Sequence, residues 1–145
     1  MPDVTVATVV VTAGRVLLVE ERVHGHLVLN QPAGHLEADE SLRAAALRET
    51  LEETAWEVRL SHFIGAYQWC SPDDGRQFLR FAFAAEPLRH HPDRSLDQGV
   101  ERALWLDLAE FGQSRPRHRS PLVWRAVDDF LAGQRLPLDS VAWVE

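Results

Sequence analysis

The stretch GHLEADESLRAAALRETLEETAW, from Gly34 to Trp56, predicts a tight turn followed by a helix. At about 100° per residue, Glu49 and Glu53 stack on one face of this helix, and Glu52 lies on the flank of that face. Three carboxylates at helical spacing repel one another. A hard divalent cation that binds through oxygen, above all Mg²⁺, would cancel this repulsion. The stretch is therefore a candidate cation site.

The remaining positions of the predicted helix separate into two sides. Leu42, Ala45 and Ala46 lie on the same side as the carboxylates, in the preceding turns. Leu47 and Leu51 point the other way and predict a second packing surface. The helix is therefore expected to pack against the protein through Leu47 and Leu51 on one side. On the other side, small apolar residues are expected to lie below the carboxylates.

A solvated helix face is the alternative interpretation of these carboxylates. Arg48 can pair weakly with Glu52 four residues later, as charged residues on exposed helices often do. The turn Pro32-Ala33-Gly34 and the fixed spacing of further residues around the helix argue against this alternative.

The turn and the helix share a longer pattern of six residues, which are Gly34, Glu40, Arg48, Glu49, Glu52 and Glu53. This is the spacing of the Nudix box, G-x5-E-x7-R-E-U-x-E-E-x-G-U, and the chain therefore resembles the Nudix hydrolase family, with its box at 34–56. Two positions depart from the box. Thr50 stands where a bulky aliphatic residue is usual, and Ala55 stands where the last glycine is expected. The chain is then expected to leave the helix without the usual αL glycine.

Landmarks outside the box narrow the resemblance to the NudJ-type Nudix phosphatases. They span nearly the whole chain and are NQPAGHLEADE (30–40), the QW…PD segment (Gln68, Trp69, Pro72 and Asp73), FLRF (78–81) and RSPLV (119–123). The resemblance implies release of orthophosphate from nucleoside di- and triphosphates, and from hydroxymethylpyrimidine pyrophosphate or thiamine pyrophosphate. Two alternatives remain. One is a Nudix hydrolase that cleaves ADP-ribose or releases pyrophosphate from a nucleotide, and the other is a Nudix-fold binding module without turnover.

The resemblance also implies a cofactor and its ligands. Glu49 and Glu53 are the expected core Mg²⁺ ligands and Glu52 is the third, with Mn²⁺ as an expected substitute for Mg²⁺. The turn before the helix offers a backbone carbonyl at Ala33 or Gly34, where a glycine lets the backbone come close.

Other residues are expected to act beside the cation. Glu49 is the candidate base, or the group that holds the attacking water, and Glu53 is a second catalytic candidate. Arg48 is expected to orient a box carboxylate through charge-assisted hydrogen bonds, with a surface ion pair as the alternative. An additional carboxylate often follows the box in this family. Glu101 and Asp97 are the candidates, and either could equally be an ordinary exposed acid.

Five further residues are candidates for substrate binding. Arg80 is a guanidinium within an apolar strand, where it could clamp a phosphate bidentately or face outward. Trp69 could stack on a base or a pyrimidine ring, or pack in the core. Asn30, Gln31 and Gln68 could hydrogen-bond the substrate, or cap loop backbone.

Composition limits the class of protein. The chain has 145 residues, 46% of them hydrophobic, which predicts one domain over residues 1–145 with a real core. A net charge of −7 argues against DNA or RNA as partners and leaves a small phosphorylated substrate possible. The single cysteine, Cys70, is expected to be buried or half-buried, and it fits a reducing cytoplasm. No signal peptide or membrane span is predicted. We expect a cytoplasmic monomer or small homo-oligomer.

Strand and helix signals on both sides of the box predict an α+β fold. Strands are expected at 4–11, 15–20, 27–30, 57–60, 63–69, 77–85 and 101–106, and loops at 23–26, 87–99 and 112–119. Asp39 or Glu40 is expected to begin the box helix, although the family resemblance implies that Glu40 could instead brace the loop. Asp107 is expected to cap a short helix, and Ser120 a final helix that ends near Ala132. The resemblance implies a mixed β-sheet sandwiched between α-helices, the Nudix fold.

Overall fold

The computed structural model of the protein describes residues 1–145. Its strands are β1 (Asp3–Thr12), β2 (Arg15–Val23), β3 (His26–Asn30), β4 (Ala33–His35), β5 (Trp56–Cys70), β6 (Gln77–His90) and β7 (Val100–Asp107). Its helices are α1 (Leu42–Thr54), α2 (Leu108–Gln113) and α3 (Pro121–Leu131), with short 3₁₀ turns at Arg115–Arg117 and Leu138–Ser140.

The strands form a mixed sheet in the order β3-β2-β1-β6-β5, with β4 beside β1 and β7 beside β2. β1 runs parallel to β6, and the other pairings are antiparallel. β1 pairs with β6 from Asp3 to Val10, and only Val11 and Thr12 pair with β2. β1, β4, β5 and β6 form one group of strands, and β2, β3 and β7 form the other. The two groups are joined only at Val11 and Thr12, so that side chains from both can face a common cleft between them.

Helices α1 and α3 cover opposite faces of the sheet. Along β6, Ala82 and Ala84 pack with α3 residues such as Val123, whereas Phe83 between them packs with Ala46 of α1. Successive residues of a strand point to opposite faces, so burial of both apolar sides requires a helix on each. The predicted α+β arrangement, with a mixed sheet between helices, is confirmed.

The start of α1 differs from the prediction. Ser41, not Asp39 or Glu40, is the N-cap, because its hydroxyl accepts a hydrogen bond from the Ala44 amide at 3.1 Å. Glu40 lies outside the helix and accepts a hydrogen bond from the Glu37 amide at 3.1 Å. Glu40 therefore braces the loop, as the family resemblance implies.

The outer face of α1 and its C-terminal end are the next features to compare with the prediction. The predicted second packing surface is wrong at Leu47, which is 40% exposed, because only one side of the helix meets the sheet. Ala55 ends the helix in the left-handed region with φ of 62°, and its amide donates to the Leu51 carbonyl. An alanine thus adopts the αL conformation that the box usually gives to glycine, at a cost of about 1 kcal/mol.

β5 and β6 are longer than predicted. The two strands expected between residues 57 and 69 are one strand, which accommodates register shifts instead of a break. β6 continues through Pro87, where a loop was predicted. Pro87 lies opposite Val58 at one of the register shifts, and an irregular position tolerates a residue that has no amide donor.

Cys70 and the C-terminal tail also differ from the sequence-based expectations. Cys70 is exposed at the end of β5, contrary to the prediction that it would be buried or half-buried. The C-terminal tail, which had no predicted class, returns to the sheet through paired backbone hydrogen bonds between Leu136 and Phe63. Leu138 and Val141 then pack on the core cluster under α1. No helix combines the length and the apolar character needed to cross a bilayer.

Candidate active site

A cluster of three carboxylates forms where α1 meets the loop between β6 and β7. Ligand oxygens of Glu49, Glu52 and Asp97 all lie within 4.8 Å of one another. Two backbone bonds fasten this loop to the last turn of α1: the His91 amide donates to the Ala55 carbonyl at 2.8 Å, and the Asp97 amide donates to the Glu52 carbonyl at 3.0 Å. The fold therefore carries Asp97 to the two helix carboxylates.

Glu53 is the most buried carboxylate of the box, with 9% of its surface exposed. Its Oε1 accepts a hydrogen bond from the Ala33 amide at 2.9 Å. Burial raises the pKa of Glu53 to about 8; the Ala33 amide opposes this rise, and the charges of Glu21, Glu49 and Asp97 add to it. Burial also raises the pKa of Glu49. The positive charges and hydrogen-bond donors around Glu49 and Glu53 thus do not fully offset the cost of ionising both carboxylates.

Gly34 is required by a close approach between β4 and α1. A Cβ atom at this position would overlap the carboxyl group of Glu49. Strand β4, where a tight turn was predicted, therefore brings the Ala33–Gly34 backbone directly against the carboxylates, with the Ala33 amide bonded to Glu53.

Arg48 joins the loop to the carboxylates and is only 21% exposed, so it is not a surface ion pair. Its guanidinium donates to both oxygens of Glu40, at 2.6 and 3.0 Å. It also donates to Glu49 at 2.7 Å, to Glu52 at 3.2 Å and to the His35 carbonyl at 3.1 Å. These charge-assisted bonds fix the orientation of two cluster carboxylates. The hydrogen bonds to Arg48 also lower the pKa of Glu40.

The donor set fits a hard divalent cation. All of the candidate side-chain ligands are carboxylate oxygens, which suit Mg²⁺ and Mn²⁺. Arg48 supplies the one cation bonded to the cluster, and the raised pKa of Glu53 shows the electrostatic cost of ionising it without further positive charge. Glu49, Glu52 and Asp97 could hold such an ion. Glu53, a predicted core ligand, lies outside this cluster and bonds the Ala33 amide instead.

Arg80 is the unusual residue on the other side of the cleft. It is 7% exposed, so the outward-facing alternative is wrong. Its Nη1 donates to Gln31 Oε1 at 3.1 Å and to Asn30 Oδ1 at 3.4 Å. Its Nε is buried without a partner. Burial lowers the pKa of Arg80 to about 10, which still leaves it cationic at neutral pH. The structure therefore contains a buried cation held only by neutral amides.

Asn30 and Gln31 are themselves buried and serve the scaffold. Gln31 Nε2 donates to the Val123 carbonyl at 2.5 Å and so ties the start of α3 to the end of β3. With its Oε1 it accepts from Arg80. Both amides thus orient Arg80.

Trp69 stands on the same face of the sheet as Arg80. It is opposite Phe78 in the β5–β6 register, two residues along each strand from the Tyr67–Arg80 pair. The Trp69 and Phe78 rings stack with centroids 5.8 Å apart, and both are half-buried. An aromatic surface therefore lies next to the buried guanidinium.

Two predicted residues lie apart from this arrangement. Glu101 is 44% exposed and pairs with Arg22 at 3.0 Å, so that of the two additional carboxylates only Asp97 joins the cluster. Gln68 precedes Trp69 and points to the opposite face, where it is exposed and donates to Gln77.

Glu21 and Arg119 belong to the cleft, and sequence reasoning missed them. Arg119 Nη1 donates to Glu21 Oε2 at 2.9 Å, and Glu21 Oε1 is buried without a partner. The charge of Glu21 acts on both Glu53 and Arg80. The only signal in the sequence was the pair Glu20-Glu21 at the end of an apolar strand, which does not reveal which of the two faces the cleft.

A family model described as the NUDIX domain matches residues 1–125. The chain belongs to the Nudix hydrolase family. It is a hydrolase of phosphoanhydride bonds, and the resemblance predicted from the box is confirmed. The acidic helix face, the glycine of β4 and the bracing Arg48 are thus the parts of a Nudix box in their folded positions.

Individual Nudix proteins extend the comparison. The chain is 44% identical to phosphatase NudJ of Escherichia coli strain K12 over 140 residues, which cover 97% of this chain and 90% of that protein. A Nudix hydrolase structure from Nitrosomonas europaea superposes with a TM-score of 0.96 at 41% identity, covering 99% and 98% of the two chains. The NUDIX domain of Shewanella oneidensis NrtR, complexed with ADP ribose, shares the fold at 20% identity, with a TM-score of 0.69 and coverage of 90% and 89%. The chain is a NudJ-type Nudix protein.

Proposed function

We propose that this Nudix hydrolase is a Mg²⁺-dependent phosphatase, with Mn²⁺ as a substitute. Its proposed substrates are nucleoside di- and triphosphates and hydroxymethylpyrimidine or thiamine pyrophosphate, from which it releases orthophosphate. The identity to phosphatase NudJ supports this choice of products. The observation that carries the proposal is a carboxylate cluster on α1 together with a buried guanidinium, Arg80, that has no acidic partner and is acted on by the charge of the box carboxylate Glu53.

Glu49, Glu52, Glu53 and Asp97 are the proposed ligands of the divalent ion, together with the backbone carbonyl of Ala33. The carboxylates gathered beside β4 support this assignment. When bound, the ion neutralises phosphate oxygens and the charge that develops on them during cleavage.

Glu49 is the proposed base. Hydrolysis requires a water oxygen to bond to phosphorus while the bridging P–O bond of the anhydride breaks, and the water must lose a proton. Arg48 donates to Glu49 Oε1 at 2.7 Å, which leaves Oε2 to accept this proton. The raised pKa of Glu49 makes its carboxylate a better proton acceptor than an exposed one. Arg48 is therefore a positioning residue for the base.

Arg80 is the proposed ligand of a substrate phosphate. Its free Nε and Nη2 edge can donate two parallel hydrogen bonds to one phosphate group, and a low-polarity surrounding strengthens them. Asn30 and Gln31 hold the guanidinium in place through Nη1. Trp69, stacked on Phe78, offers a face for a base or a pyrimidine ring.

We further propose one Nudix domain over residues 1–145 that acts in the cytoplasm as a monomer or small homo-oligomer. The return of the C-terminal tail to Phe63 supports a single domain. A net charge of −7 supports small substrates over nucleic acid polymers, and the single free cysteine, Cys70, supports a reducing compartment.

A product assay tests the proposal. The purified protein is incubated with Mg²⁺ and nucleoside di- and triphosphates, ADP-ribose or thiamine pyrophosphate, and the products are resolved. We expect orthophosphate from several of these substrates and none in EDTA. Pyrophosphate as the product, or cleavage of ADP-ribose alone, would overturn the phosphatase assignment. Absence of turnover with every compound would favour a binding module.

A further inference from the structure

Two buried groups of opposite charge face the cleft without touching. Arg80 Nε and Glu21 Oε1 are both buried, and neither has a hydrogen-bond partner. Arg80 forms no ion pair within 4.0 Å, and the only ion pair of Glu21 is the one with Arg119. Removing a charge from water costs several kcal/mol unless it is paired, so two such neighbours would ordinarily bond to each other.

The register of β2 and β3 brings Glu21 close to Arg80. Val19 lies opposite Asn30, so Glu21, two residues further along β2, shares the face of Asn30. Asn30 Oδ1 accepts a hydrogen bond from Arg80. Among the charged groups that act on Arg80, Glu21 has the greatest effect. Glu21 is thus the acid best placed to pair with Arg80.

Arg119 accounts for their separation. Its Nη1 donates to Glu21 Oε2 at 2.9 Å and therefore holds this carboxylate by its other oxygen. The backbone of Arg119 is fixed as well, because its amide donates to the Leu29 carbonyl at 2.8 Å and α3 begins directly after Ser120. The guanidinium that orients Glu21 thus extends from a fixed backbone position.

We propose that Arg119 is a positioning residue that holds the Glu21 carboxylate away from Arg80 and so keeps the unpaired edge of Arg80 available to a substrate phosphate. This inference rests on the proposed role of Arg80 as a phosphate ligand. Without Arg119, Glu21 is a half-buried carboxylate, with one oxygen fully buried, whose remaining nearby cation is Arg80. Pairing of the two would then block the phosphate site from within the protein.

Three variants test this inference. Arg119→Ala releases Glu21, and Arg119→Ala combined with Glu21→Gln also removes the charge that would block Arg80. Arg117→Ala is the matched control, because Arg117 lies in the same segment and pairs at 2.8 Å with Glu20, the neighbour of Glu21 on β2. Glu20 keeps Arg102 as a second partner at 3.1 Å. Thermal unfolding of each variant verifies the fold.

The probe is inorganic phosphate in the presence of Mg²⁺, titrated by calorimetry so that turnover is not needed. We expect Arg119→Ala to weaken phosphate binding at least about tenfold, and the double variant to recover to within about threefold of the wild type. Arg117→Ala should bind like the wild type. With a hydrolysed substrate, Arg119→Ala should raise KM and leave kcat nearly unchanged.

The double variant decides the inference. If it binds phosphate as weakly as Arg119→Ala, Arg119 acts by another route, such as direct contact with phosphate, and the inference is overturned. Absence of phosphate binding by the wild type would also overturn it, because the edge of Arg80 would then not be available to phosphate. If the wild type binds phosphate with the expected pattern but releases no orthophosphate from any substrate, the proposed function fails and this inference stands.

Discussion

Glu53→Gln removes the charge of a buried carboxylate and keeps nearly the same side-chain volume, so it measures the free energy that ionisation of Glu53 costs the folded protein. Glu53 has a pKa of about 8 in the folded protein against an ordinary value of 4.5. Because the folded pKa is the higher one, the stabilising contribution of protonated Glu53 is full below pH 4.5 and is lost as pH rises through 8. This difference in pKa corresponds to at most about 5 kcal/mol of unfolding free energy. Glutamine keeps an oxygen for the Ala33 amide and cannot ionise.

Denaturant unfolding in EDTA at a series of pH values measures this cost. The wild type should lose stability between pH 4.5 and 8, and Glu53→Gln should lack that loss and become the more stable protein at pH 8. Each kcal/mol corresponds to about 3 °C in Tm for a chain of this size. Mg²⁺ should stabilise the wild type at pH 8 more than it stabilises the variant, because only the wild type has the ionised Glu53 for the ion to neutralise.

Glu52→Gln is the matched control, since it is the same substitution at the adjacent, half-buried position. It should keep the pH-dependent loss of the wild type in EDTA, because Glu53 is intact. Equal pH dependence of the wild type and Glu53→Gln would refute the reasoning, since the buried carboxyl would then not be the group that titrates.

Three other substitutions test the neighbourhood of the site. Gly34→Ala should reduce kcat/KM by at least about 100-fold, because the new methyl group displaces the Glu49 carboxyl. It should change the free energy of unfolding by less than about 1 kcal/mol, because the methyl displaces little else. Wild-type activity of this variant would contradict the close approach. Asp97→Asn should weaken Mg²⁺ binding, measured by calorimetry, by about 10- to 100-fold, and unchanged affinity would remove Asp97 from the ligand set. Thr50→Val should cost about 1–3 kcal/mol in denaturant unfolding, because the buried Thr8 hydroxyl loses its partner at 2.7 Å. Replacing both threonines by valine should recover much of that loss, and a failure to recover would point to packing instead.

Local spacing predicted which carboxylates lie together on α1. Glu49, Glu52 and Glu53 share a helix, so their separation along the chain fixes their relative positions. The sequence also identified Gly34 as a point of close backbone approach, which requires a residue without a side chain. The tight turn predicted there is wrong, because Ala33–His35 pairs with β1 as strand β4. The sequence could not choose Asp97 over its rival, since that choice depends on where a loop is fastened to α1.

The basic half of the site required the fold. The alternation along β6 gives the face on which Arg80 lies but not whether that face is covered. The residues that hold its guanidinium, Asn30 and Gln31, are distant from it in the chain, and Gln31 is itself held by Val123 of α3. Glu21 and Arg119 meet across 98 positions, so no local pattern reports their pairing. The start of α1 was misplaced because the helix dipole favours any early acid, whereas only Ser41 has a side-chain bond to a free amide.

The proposed phosphatase activity is tested most directly by the products of a single substrate, thiamine pyrophosphate, at increasing Mg²⁺ concentration. We predict that orthophosphate and thiamine monophosphate appear in equal amounts, that the rate saturates with Mg²⁺, and that Glu53→Gln lowers the rate by orders of magnitude. Orthophosphate release that persists in EDTA, or in Glu53→Gln at the wild-type rate, would contradict catalysis at the carboxylate cluster. No cleavage of thiamine pyrophosphate, with pyrophosphate released from nucleotides instead, would contradict the phosphatase assignment itself.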